Sequence, residues 1–140
     1  MTLLETISVL GGVIQYQFAI NERIKKAFQD CSNDFNPLHN DPDFAGRKGF
    51  PECVMYGNIL NCFLSFFIGE LLPTKDVIIH SQEITYRKPV FLNDILNFKA
   101  EIYEIIEAVN TVIYKYTFKN QASQTVAKGK IQIGILPDLR

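Results

Sequence analysis

The segment Asp34-Phe35-Asn36-Pro37-Leu38-His39 sets a carboxylate and an imidazole either side of a proline. Pro37 pushes Asn36 out of the helical region and cannot itself continue a helix, so both side chains are expected on irregular backbone. Their spacing is short enough to converge on one small molecule. A carboxylate and a histidine flanking a water polarise it; in reverse, one group takes a proton from carbon and a proton goes to the departing hydroxyl. That is the minimum apparatus of a hydratase. The same residues also serve as an Asx-turn and a histidine packed at a loop base, and spacing alone leaves both readings open.

A second feature is Met55-Tyr56-Gly57-Asn58, where a glycine opens an apolar helix. The first turn of a helix has unpaired N–H groups and a positive dipole end, so a thioester carbonyl docked there is stabilised as it becomes an enolate. Gly57 lacks a Cβ and lets a substrate approach closely; it also suits a plain turn into the helix.

Several elements must position these residues. Ile14 to Ile20 reads as a first strand, with Tyr16 and Phe18 set against Gln15 and Gln17. Asn21 caps a helix carrying Ile24, Ala27, Phe28 and Cys31 at three-to-four spacing. Ser32 to Pro51 is rich in Asn, Asp, Pro and Gly and reads as an ordered loop, with a short helical turn near Pro42. Gly57 to Leu72 is a helix apolar around most of its circumference, which predicts burial. Strands follow at Val77 to Arg87, Ile95 to Glu104, Thr111 to Phe118 and Thr125 to Ile135, the last two joined by the turn Asn120-Gln121-Ala122-Ser123. Consecutive strands with short turns predict an antiparallel sheet curved around the helix, an α+β arrangement.

The 140 residues suit a single domain spanning 1–140, and 47% hydrophobic with 21% charged residues suits a folded chain. A net charge of -1 without a dense Lys/Arg stripe argues against nucleic acid as a partner. Cys31, Cys53 and Cys62 are odd in number and lack Cys-x-x-Cys spacing, which favours a reducing cytoplasm over a disulfide framework. Leu3 to Val13 is interrupted by Glu5 and follows no basic residue, unlike a signal peptide. Ile59 to Leu72 is too short to span a bilayer. No membrane partner is expected.

From about Phe28 to Ile95 the sequence resembles the MaoC-like family, which contains the (R)-specific enoyl-CoA hydratases and 3-hydroxyacyl thioester dehydratases of hot-dog fold. The resemblance rests on Phe28 to Ser32, on Asp34-Phe35-Asn36-Pro37-Leu38-His39 with Asp41, Phe44 and Ala45 after it, on Gly57, and on Tyr86-Arg87-Lys88-Pro89-Val90-Phe91 with Asp94. It implies that Asp34 and His39 are the catalytic pair holding water and that the Gly57 N–H is the oxyanion donor. It further implies a single hot-dog domain, its long helix wrapped by an antiparallel sheet, paired edge to edge as a homodimer with an acyl tunnel near the interface. The substrate would be an acyl group on coenzyme A or acyl carrier protein, with no cofactor. Two departures bear on the pocket: Tyr56-Gly57 replaces the usual His-Gly, and Cys62 stands where a serine is common.

Asn36, Tyr56, Cys62 and Phe63 are therefore the candidate substrate-pocket residues, although Phe63, Phe66 and Phe67 on a central helix also suit core packing. Arg47, Lys48, Arg87 and Lys88 are candidates for coenzyme A phosphates or an acidic carrier, or ordinary solvated charges. His80 reads as a structural or surface residue, and two histidines with dispersed cysteines predict no metal site. The competing functions are a hot-dog thioesterase, and a non-catalytic acyl-binding subunit or half of a heterodimer. An acyl-sensing transcription factor would need a helix-turn-helix extension that this chain lacks.

Overall fold

Five β-rich segments form five strands: β1 (Val13–Ala19), β2 (Val77–Tyr86), β3 (Ile95–Ile106), β4 (Thr111–Lys119) and β5 (Thr125–Ile135). The computed structural model describes Glu5 and residues 12–140, so the segment Leu3 to Val13, read as no signal peptide, lies for the most part outside the described residues. The strands form one sheet in the order β1-β3-β4-β5-β2, with every neighbouring pair antiparallel. Leu96, Phe98 and Ala100 of β3 and Tyr114, Tyr116 and Phe118 of β4 are buried on one face, while Lys99, Lys115 and Lys119 alternate onto the other.

The inner face curls around α4 (Ile59–Phe66), which runs on as a π-helical turn over Phe67–Leu71. Ile59, Leu60, Phe63 and Leu64, then Phe67 and Ile68, are the buried stripe. Phe63 stacks on Phe18 of β1 with ring centroids 4.3 Å apart, and Phe67 meets Phe98 at 5.0 Å and Tyr114 at 5.2 Å. Such aromatic contacts, added to area burial, seat the helix in the sheet. Two details differ from the sequence expectation. The helix begins at Ile59, because the Tyr56 and Gly57 carbonyls accept from the Ile59 and Leu60 N–H groups in tight turns. Its burial is one-sided as well, since Cys62, Ser65 and Phe66 face outward.

Before α4 lies α1 (Glu22–Ser32), capped by Asn21, whose side chain accepts from the Ile24 N–H. Asn33 ends it in the left-handed conformation, φ 55°, with its N–H on the Gln29 carbonyl. The following segment is more helical than expected. Pro37 begins α2 (Pro37–Asn40) and Pro42 begins α3 (Pro42–Arg47), each at the first helical turn where the missing N–H is no loss. His39 therefore sits on a helical turn, while Asp34 stays on irregular backbone.

Candidate active site

Asp34 follows the Asn33 turn and is held by local hydrogen bonds. Its N–H donates to Ser32 Oγ at 3.2 Å, and its Oδ1 accepts from the Asn36 N–H at 3.0 Å. That leaves Oδ2, which lies 3.8 Å from His39 Nε2. The His39 side chain is 15% exposed and that of Asp34 43%, so the pair forms an edge between interior and solvent.

His39 Nδ1 is 2.7 Å from the Val54 carbonyl. A carbonyl only accepts, so Nδ1 carries the proton and, in neutral imidazole, Nε2 presents a lone pair toward Asp34. Two acceptors 3.8 Å apart cannot bond to each other, but both can take hydrogen bonds from one water. Val54 is itself fixed: its N–H donates to the Leu38 carbonyl, it bridges Phe91, and the next N–H, of Met55, donates to the Val90 carbonyl. The histidine tautomer thus depends on a backbone segment clamped between α2 and the β2–β3 connection.

Tyr56 supports the pair from behind. It is buried, its ring lies 4.1 Å from the His39 ring and 4.9 Å from Phe28, and its hydroxyl donates to the Asp34 backbone carbonyl at 2.6 Å.

A cleft of about 360 Å³ opens beside the pair, lined by His39, Val54, Met55, Gly57 and Tyr86, and closed by the run Arg87 to Val90. His39 and Gly57 thus share one cavity. No acceptor among the described residues takes the Gly57 N–H, which suits an oxyanion donor. The Tyr86 ring covers Gly57 so closely that a Cβ there would stand 3.1 Å from it. The Tyr86 hydroxyl donates to Asn58 Oδ1 and accepts from Asn61 Nδ2, both at 3.3 Å. Burial raises its pKa above the ordinary tyrosine value, partly offset by the Asn61 hydrogen bond.

Of the predicted site residues only His39 and Gly57 line this cleft: Asp34 reaches it through His39, 3.8 Å away, and Asn36, Tyr56, Cys62 and Phe63 lie outside it. Asn36 caps α2 by accepting from the Leu38 N–H, Tyr56 is spent on the Asp34 carbonyl, and Phe63 stacks in the core. Cys62 is exposed, its thiol pushed up first by burial and then by the nearby Cys31. Sequence reasoning missed two contributors. A backbone carbonyl such as that of Val54 has no sequence signature. Tyr86 had one: a strand ending at Pro89 delivers its last residues to the cleft mouth. Arg87 and Lys88 line the cleft, whereas Arg47 and Lys48 pack over the Phe44 ring. His80 lies on β2 with Nδ1 3.3 Å from Gln132 Nε2. Among the described residues no three His, Cys, Asp or Glu side chains cluster to hold a metal, and no helix is long and apolar enough to cross a membrane.

Residues 13–125 match the family model described as the MaoC like domain, and the chain belongs to that family. It is 36% identical over 81 residues to the (R)-specific enoyl-CoA hydratase of Aeromonas caviae, covering 58% of this chain and 60% of that protein. Against the mitochondrial 3-hydroxyacyl-[acyl-carrier-protein] dehydratase of Arabidopsis thaliana it is 28% identical over 138 residues, 96% of this chain and 81% of that protein. The solved (R)-hydratase of A. caviae superposes with a TM-score of 0.81 at 26% identity, covering 89% of this chain and 94% of that one. An R-hydratase of Pseudomonas aeruginosa gives 0.80 at 28%, covering 90% and 81%. The sheet wrapped around α4 is thus the hot-dog fold of these hydratases.

Proposed function

We propose that this protein is a hydro-lyase that reversibly hydrates trans-2-enoyl thioesters, or dehydrates (R)-3-hydroxyacyl thioesters, carried on coenzyme A or acyl carrier protein. The observation that carries this reading is His39, its Nδ1 on the Val54 carbonyl and its Nε2 3.8 Å from Asp34, lining a cleft with Gly57. In hydration, a water held by Asp34 and His39 gives a proton to Nε2 as its oxygen bonds to C3 of the enoyl group. The π electrons move toward the thioester carbonyl, whose oxygen gains charge against the Gly57 N–H. The proton taken up by the Asp34–His39 pair is then delivered to C2, which completes the addition and returns the pair to its starting state; dehydration runs through the same groups in reverse. The names of the relatives, an enoyl-CoA hydratase and a 3-hydroxyacyl-carrier dehydratase, support both the reaction and the thioester class.

The chain is further proposed to act as a homodimer in a reducing compartment such as the cytoplasm. β2 is an edge strand exposing Ile78 at 50% and Ile79 at 37%, an open ladder suited to a second copy, and the three cysteines are free thiols. The test of the function is to mix the protein with crotonyl-CoA and follow loss of the enoyl absorbance, product chirality and free thiol together. Formation of (R)-3-hydroxybutyryl-CoA without thiol release is expected. Thiol release alone would make the protein a thioesterase, and binding without turnover a non-catalytic subunit.

A further inference from the structure

The outer face of the sheet carries a charge pattern that neither the core nor the cleft explains. A groove of about 560 Å³ crosses it, lined by five lysines against two glutamates, in a chain whose net charge is -1. Lys115 is paired with Glu101 at 3.3 Å, and Lys130 lies over the Tyr103 ring at 3.8 Å. Lys99, Lys119 and Lys128 make no ion pair among the described residues. Lys115 and Lys130 stand directly opposite each other on β4 and β5, a like-charge arrangement that costs sheet stability.

Strand register connects this surface to the cleft. Lys99 of β3 is opposite Thr117 of β4, Thr117 is opposite Lys128 of β5, and Lys128 is opposite Thr85 of β2. Thr85 immediately precedes Tyr86, Arg87 and Lys88, which line the cleft with His39 and Gly57. A row of Thr85, Lys128, Thr117 and Lys99 therefore leaves the mouth of the site and crosses three strand spacings, roughly 14 Å, with Lys119 two residues from Thr117 on the same face. Arg87 and Lys88 suffice for phosphates held at the mouth. The row beyond them continues away from the cleft, at the scale of a protein surface.

We propose that this outer sheet face is the docking surface for an acidic acyl carrier protein, whose thioester arm enters the cleft past Arg87 and Lys88. The proposal rests on the hydro-lyase reading for the arm's destination. Charge complementarity selects the occupant: an acidic helix laid in the groove meets Lys99, Lys119 and Lys128, and its encounter is steered and salt-sensitive.

The test compares the parent with the double variant Lys99→Glu, Lys128→Glu, neither residue belonging to the cleft. For a crotonyl group on acyl carrier protein, KM is expected to rise about tenfold or more at low ionic strength with kcat retained. Crotonyl-CoA kinetics should be unchanged, which also shows that the variant folds. Fluorescence anisotropy of labelled holo acyl carrier protein reads docking without turnover and should show the same loss. Unchanged carrier binding in the variant overturns the docking surface. An equal rise in KM for both thioesters overturns it too, since the row would then serve coenzyme A. Carrier binding that depends on these lysines, with neither thioester hydrated, would instead fail the hydro-lyase reading and keep the surface.

Discussion

Replacing Tyr56 by phenylalanine keeps the ring beside His39 and removes only the hydroxyl that donates to the Asp34 carbonyl. The expected cost is about 1 kcal/mol of stability, read by denaturant unfolding, with a fall in kcat larger than any change in KM because the carboxylate loses its anchor. At Gly57 an alanine Cβ would meet the Tyr86 ring at 3.1 Å. Gly57→Ala should therefore lower kcat/KM roughly tenfold or more while leaving the melting temperature nearly unchanged, and Tyr86→Ala in the same chain should restore part of the loss. Asp34, His39 and Gly57 were legible as candidates, through residue type, spacing and the family resemblance. Their geometry was not. The His39 tautomer is set by a backbone carbonyl fifteen positions away, and Tyr56 turned out to prop the pair from behind.

Among the elements, the alternating strands were legible to within about two residues, because a half-buried sheet imposes period two. The segment before α4 was less so. The helical turn near Pro42 was legible, but Pro37 was read as a helix breaker; a proline in the first turn is also a helix starter, and the Asn36 cap decides between the two. Inside the sheet, the Tyr114 hydroxyl is buried without a hydrogen-bond partner among the described residues. Tyr114→Phe should therefore leave the melting temperature unchanged or raise it, since it removes a desolvated group that gains nothing. Burial also holds the Tyr114 and Tyr116 phenols well above the ordinary value of 10.0. Above that pH the unfolded chain loses these protons while the folded chain keeps them. Stability is thus full below about pH 10 and declines as pH rises beyond it, a slope that urea titrations at pH 9 and 11 would read and Tyr114→Phe should reduce.

At the scale of the whole molecule, the sheet ends in two edge strands, β1 and β2, and leaves one face outside the core. The exposed β2 edge predicts a dimer in sedimentation, and Ile78→Lys should shift the chain toward monomer by placing a charge on that edge. No sequence pattern announced the outer lysine row, because its members come from β3, β4 and β5 and meet only through register. His39 and Gly57 line one cavity, and Asp34 lies 3.8 Å from His39. The most direct test is the rate of crotonyl-CoA hydration by Asp34→Asn and His39→Gln against the parent. Losses of about a hundredfold or more in kcat, with both variants folded, are expected of a general acid–base pair. Parent-like rates in either variant would contradict the assignment of the water-handling pair.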